Sequence, residues 1–320
     1  MATAAKAKAV KVTKKEKSVV VPAAPAKPSA ISQKALLVSV TVHRWKPQVT
    51  DEQVSNKVAK DYGADKNVGK YRKRLFAKKT FFDTASIENE IRREYWRYTL
   101  PWSDDSGRLL SNEGYMDFKK TMADLIAKFE AEWRKVLPNA QAYEALKTEA
   151  KSLFGALYDP KLYPSYEDAC HKFGVSVRFR PIPDGADFRV DISDKEADRI
   201  RQEINADRDQ AIVDAVKEPY RRLAEVIEHM VKRLNGYHVG KDGKVVGKFG
   251  KSLVANIEEL LGVLPALNIT GDATLTEFAD QIKKELTAHT VTVLRDDEKV
   301  RKSVANKAQE ILDKMGAFLS

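Results

Sequence analysis

Cysteine is almost absent: Cys170 stands alone in a chain of 320 residues, so no internal disulfide and no thiolate zinc cluster can form. Histidine is scarce too, with five residues, His43, His171, His229, His238 and His289. His171 neighbours Cys170, but successive helical residues point about 100° apart and do not face each other. Glu225 and His229 share a helix face at four-residue spacing, which suits a surface ion pair, and no further ligand accompanies them. No Gly-x-Ser-x-Gly elbow occurs anywhere. The stretch "GKFGKS" ends like a phosphate-binding loop, yet Val245 stands where that loop needs its first glycine, so Gly250, Lys251 and Ser252 amount to a basic loop. The expectation is no catalytic residue, no metal and no cofactor, and a function that leans away from an enzyme.

Long apolar runs are also missing. Nothing approaches the roughly 20 residues needed to cross a bilayer, and "SVVVPAAPA" near the amino terminus has too short an apolar core for a signal peptide. A cytoplasmic protein without a membrane span is expected.

What the chain does have is positive charge, and it is concentrated. Of the formal +10, residues 1–34 carry +7 through eight lysines against one glutamate, and residues 66–97 carry +6, which leaves −3 for all the rest. Residues 1–34 are dominated by Ala, Lys, Pro and Val and hold no aromatic side chain. Such a segment cannot bury enough apolar surface to offset the entropy of ordering it, so it reads as a disordered basic arm. The ordered body is expected over residues 35–320.

Within that body, "ALLVSVTVHRW" alternates and is β-branched, which predicts a strand. Thr50 with Gln53 reads as a capping box opening a helix that Gly63 closes. "GKYRKRLFAKK" reads as a strand or extended edge, where lysines also guard against aggregation. The next helix holds "IRREYWRYTLPW": Ile87, Ile91, Tyr95 and Tyr98 make its core stripe, Arg92, Arg93 and Trp96 lie on the other side, and Pro101 stops it. Tyr115, Phe118, Met122, Leu125, Phe129, Trp133 and Val136 repeat at three and four, predicting a long amphipathic helix. Around "GVSVRFRPIPDGADFRVDI" the period drops to two on either side of turn residues, predicting a β-hairpin at about 174–192. Ser193 with Glu196 reads as a capping box for a helix reaching Leu234 and bent at Pro219, followed by a mobile Gly/Lys loop at about 236–251 and three more helices. The fold class is α+β, predominantly α-helical, with long amphipathic helices and a small antiparallel sheet including one β-hairpin.

Lys and Arg supply the affinity for a nucleic-acid backbone, and exposed aromatic rings add base stacking. On that basis the candidate interface is Lys70, Arg72, Lys73, Arg74, Lys78, Lys79, Arg92, Arg93 and Trp96, with Arg178 and Arg180 on one face of the hairpin. The bland alternative is a solvated strand and helix with Trp96 packed against a neighbour. Exposure of Trp96 separates the two.

The stretches "LLVSVTVHRWKP", "YRKRLF", "TLPWSDDSGRLL", "YPSYEDACHKFGVSVRFRPIPDGADFRVDI" and "LNITGDATL" resemble a group of uncharacterised proteins of tailed bacteriophages and related mobile elements, some encoded near a MoxR-type AAA ATPase. The likeness covers most of the chain after residue 35 and carries no mechanistic motif, so no site residue comes with it. It implies the cytoplasm of an infected bacterium and either a nucleic-acid task or an assembly partner. Two functions are therefore expected in order: association with nucleic acid without catalysis, and then a helical scaffold or adaptor for other proteins, an AAA ATPase among them. Homo-oligomerisation is left open.

Overall fold

The first strand, β1 (Ala35–His43), is covered on both sides because its alternate residues are apolar in both registers. Leu36, Val38, Val40 and Val42 face one hydrophobic cluster, while Ala35 and Leu37 face another. A computed structural model describes residues 31–103, 107–190, 192–239 and 244–318. The basic arm expected over residues 1–34 lies outside the described residues as far as residue 30. Its last four residues belong to the body, since they form a turn in which Ala35 N donates to Ile31 O (3.0 Å) and Ile31 packs against the core.

Along the chain, β1 is followed by β2 (Gln48–Thr50), α1 (Glu52–Asp61), β3 (Arg72–Arg74) and α2 (Phe82–Tyr98). Then come β4 (Leu100–Ser103), β5 (Gly107–Ser111), α3 (Tyr115–Val136), α4 (Ala140–Phe154), α5 (Tyr166–Cys170) and β6 (Gly174–Arg180). The carboxy-terminal part is α6 (Asp194–Asn235), β7 (His238–Val239), β8 (Val245–Val246), α7 (Ser252–Leu267), α8 (Ala273–Leu286), α9 (Val291–Asp296) and α10 (Glu298–Met315). The fold is α+β and predominantly helical, with an antiparallel four-stranded sheet in the order β4-β5-β1-β6. Two short two-stranded ribbons, β2-β3 and β7-β8, complete the strands among the described residues.

One face of the sheet packs on α2 and α3, where Ile91, Phe118, Met122, Leu125, Phe129 and Trp133 form the predicted stripes. The other face, through Leu37, Leu100 and Leu109, meets Ala215 of α6 and Val263 and Leu267 of α7. A third cluster is mainly helical and runs through α6, α7, α8, α9 and α10, with Phe249 added from the loop before α7. The 42-residue α6 joins the last two. At about 1.5 Å per residue it is about 63 Å long. Pro219 is buried inside it and the helix continues through it.

Three local expectations need correction. The hairpin at about 174–192 has only its first strand: β6 forms and pairs with β1, Val38 opposite Phe179, but residues 188–190 form no strand. Pro181 and Pro183 remove ladder donors directly after β6. The segment then docks on α6, where Gly185 N donates to Asn205 Oδ1 (3.0 Å) and a Cβ on Gly185 would sit 2.6 Å from Arg201 O. The sheet's tight hairpin is instead β4-β5, whose Gly107 has φ +95 and approaches Val38 O too closely for any side chain. The first helix is capped by Asp51, whose side chain accepts from Val54 N (3.1 Å), not by Thr50, which pairs with Arg72 in the β2-β3 ribbon. Ser193 precedes α6 without a side-chain cap bond. In the Gly/Lys loop, residues 240–243 lie outside the described residues, and the short β7-β8 ribbon flanks them.

Candidate nucleic-acid interface

The β2-β3 ribbon sorts its cations by strand alternation. Val49 and Lys73, opposite each other, point inward, while Gln48, Thr50, Arg72 and Arg74 point out. Lys73 Nζ lies 2.7 Å from Asp51 and donates to Leu157 O (2.9 Å), with both charged side chains largely buried. The bond from Lys73, then that from Val54 N, holds the Asp51 carboxyl below its ordinary range. Lys73 therefore ties the ribbon to α1 and is not offered to a ligand. Arg72, Arg74, Lys78 and Lys79 are exposed and, among the described residues, have no carboxylate within ion-pair distance. Lys70 is exposed as well and stands 3.7 Å from the equally exposed Glu52.

Beyond Arg74 the chain turns into α2 through two phenylalanines with opposite fates. Phe81 is buried, whereas Phe82 is 64% exposed. A cleft of about 260 Å³ opens here, lined by Lys46, Arg74, Lys78, Phe76, Phe81 and Phe82 among others. Lys46 and Phe82 escaped the sequence reading, although the stretch "KKTFF" at a helix start was a usable signal.

At the far end of α2, Trp96 is 56% exposed, and the face holding it is built from ion pairs. Arg92 binds Glu88 (2.9 Å), which also receives Arg44 (2.5 Å). Arg97 reaches Glu94 at 2.7 Å, while Arg93, mostly exposed, stands 3.4 Å from the same residue. Beneath Trp96 lies Arg108, its guanidinium carbon 3.9 Å from the ring centre. Arg108 is buried and donates to Thr99 Oγ1 (2.7 Å) and Thr99 O (3.1 Å). Burial, and after it the neighbouring charge of Arg222, brings its pKa down to about 10, still cationic at neutral pH. A second cleft, of about 430 Å³, opens beside Trp96 between α2, α6 and α7.

Arg178 and Arg180 stand apart from all this. They pair with Ser39 and Leu37, on the sheet face opposite the one that carries Val38 and Arg108. The predicted residues thus resolve into a ribbon set, an α2 set and an isolated strand pair.

No family model, curated protein or solved structure matches this chain. Among the described residues no group of three or more His, Cys, Asp or Glu side chains is placed to hold a metal ion. Nor is any helix there long and apolar enough to cross a membrane. Exposed cations beside exposed aromatic rings are the surface's distinctive chemistry, and they suit a polyanion that carries flat rings.

Proposed function

We propose that this chain associates with nucleic acid without catalysing a reaction on it, in the cytoplasm of a bacterium carrying a tailed phage or related element. One observation carries the reading: Arg72, Arg74, Lys78 and Lys79 are exposed and unpaired among the described residues, and exposed Phe82 shares a cleft with Arg74 and Lys78. Cations already neutralised by protein carboxylates displace few counterions from phosphates, whereas free ones displace about one each. The arm over residues 1–34 adds further charge of the same sign.

The test is binding of a labelled oligonucleotide over a range of salt concentrations. The logarithm of affinity should fall linearly with the logarithm of salt, and each single-strand phosphate contact contributes about 0.7 to that slope. Replacing all four cations, R72Q/R74Q/K78Q/K79Q, should lower the slope by about 3. If the full chain and a chain starting at residue 31 both ignore single- and double-stranded DNA at low salt, the reading is wrong. If only the full chain binds, the arm acts alone and the ribbon has no part.

A second reading, a helical scaffold or adaptor for another protein such as an AAA ATPase, draws on the first four turns of α6. Their polar contacts outside the helix run to segment 184–188, through Arg208 to Asp184 (3.0 Å) and Arg201 to Phe188 O (3.4 Å). The remaining surface of those turns is open. A partner retained by the full chain and lost on charge reversal within residues 195–210 supports this reading over the first.

A further inference from the structure

Phe82 and Trp96 stand at the two ends of one exposed stripe. They are 14 positions apart on α2, which is about 21 Å along the axis, and 14 steps of about 100° return to within about 40° of the same direction. Ser86, Asn89 and Arg93 lie between them on that stripe and are all exposed. Each ring borders its own cleft. Trp96 is also oriented in advance: Arg108, itself fixed by Thr99, stands against the ring, and Trp96 remains more than half exposed. At the Phe82 end, Arg74 and Lys78 flank the cleft and Phe81 lines it.

We propose that this stripe is the track of a single-stranded nucleic acid, with one base stacked on Phe82, one on Trp96, and the intervening phosphates passing Lys78, Arg74 and Arg93. The inference rests on the nucleic-acid reading above and narrows it to single strands. A duplex keeps its bases stacked inside and offers mainly phosphate to such a surface, so both rings would stay uncovered. Phosphates of a duplex strand are about 3.4 Å apart along the axis. A strand stretched to as much as about twice that spacing spans about 21 Å with roughly three to six nucleotides. On the far side of the Trp96 cleft Glu225 is paired with Arg221 (2.9 Å), and Glu259 of α7 repels phosphate and favours the Arg93 side for the backbone. Because every base has a π-face, the track is indifferent to sequence.

The experiment titrates the full-length protein with labelled oligothymidylates of 2 to 12 nucleotides and with a 12-base-pair duplex at low salt. Phe82→Ala and Trp96→Ala should each weaken the 12-mer about tenfold, the double variant about a hundredfold, and Trp96→Phe should recover most of the loss. Duplex affinity should change less than twofold in all of them. The arm is common to every variant, so the ratios isolate the stripe, and Trp96→Phe retains a ring above Arg108. If the aromatic variants bind single strands like the parent protein, or if only one of the two rings matters, the track is overturned while phosphate binding stands. If the parent protein binds neither form, both readings fall together.

Discussion

Replacing Glu218 by alanine is expected to destabilise the fold by about 3 to 5 kcal/mol, the usual cost of removing one partner from a buried ion pair. Glu218 is 6% exposed and binds Arg222 Nε (2.8 Å) through one oxygen and Arg221 (2.6 Å) through the other. Arg222 is itself largely buried and carries the network across the molecule, from α6 to the end of α2, by donating to Thr99 O (2.7 Å) and Arg97 O (3.3 Å). Arg108 bonds to the same Thr99 and stands near enough to feel the charge of Arg222. Without the carboxylate, two buried guanidinium groups would face each other with no counter-charge. The urea midpoint of Glu218→Ala against the parent protein measures the loss, and a drop below about 1 kcal/mol would refute this account. Glu218→Gln keeps hydrogen-bond acceptance and should lose less.

The same network sets a pH dependence. Burial pushes the Glu218 carboxyl up, but the bonds and charges of Arg222 and Arg221 outweigh it and hold the group below its ordinary range. Glu88 behaves alike, with burial opposed by Arg44 and Arg92. A carboxyl whose folded pKa is depressed gives stability that is fully present above its unfolded pKa, about 4.3, and is lost as pH falls through the folded value. Stability should therefore hold from neutrality to about pH 5 and decline below it. Glu218→Ala should show a shallower acid limb, because its share has already gone.

Periodicity made the long helices of this chain legible. Phe118, Met122, Leu125, Phe129 and Trp133 recur at three and four, and that stripe is buried as predicted. Strand alternation made β1 and β6 legible as well, since Val38, Val40 and Val42 share a face of β1 and Val175, Val177 and Phe179 a face of β6, whatever partner each finds. Pairing was harder, because it depends on residues distant in sequence. The prolines at 181 and 183 argued against a hairpin there, and "TLPWSDDSGRLL" concealed β4-β5 behind a proline that also reads as a helix stop. In the site, alternation in "YRKRLF" was enough to separate Arg72 and Arg74 from Lys73, had the ribbon's inward face been known. The exposure of Trp96 was out of reach: a helix pattern shows which side is not core, but only the approach of α6 and α7 decides how much of that side stays open.

Phe76→Ala is the substitution that should couple stability to the interface. Phe76 is 2% exposed and directly follows Leu75 at the end of the ribbon. Its ring meets Trp45 (5.5 Å), Phe81 (6.0 Å), Tyr143 (6.2 Å) and Tyr163 (5.3 Å), and Tyr163 Oη donates to Leu75 O (2.6 Å). Truncating a buried phenylalanine to alanine costs about 3 to 5 kcal/mol, part transfer and part cavity. The cavity here would open beneath the cleft that Arg74, Lys78 and Phe82 line. Ties between the ribbon and the body that would remain include the Lys73 to Asp51 ion pair, the bond from Lys73 to Leu157 O, and the bonds from Tyr71 N to Ser55 Oγ (2.9 Å) and from Tyr163 Oη to Leu75 O. With the aromatic anchor gone, the cations would keep their charge and lose their fixed spacing, so oligonucleotide affinity should fall while the salt slope changes little. Phe76→Leu refills most of the volume and should restore both stability and affinity. Denaturant midpoints and oligonucleotide titrations of the two variants, taken side by side below the unfolding range, distinguish this from simple loss of folded protein. A folded Phe76→Ala protein with parental affinity would mean that the ribbon does not need its anchor to bind.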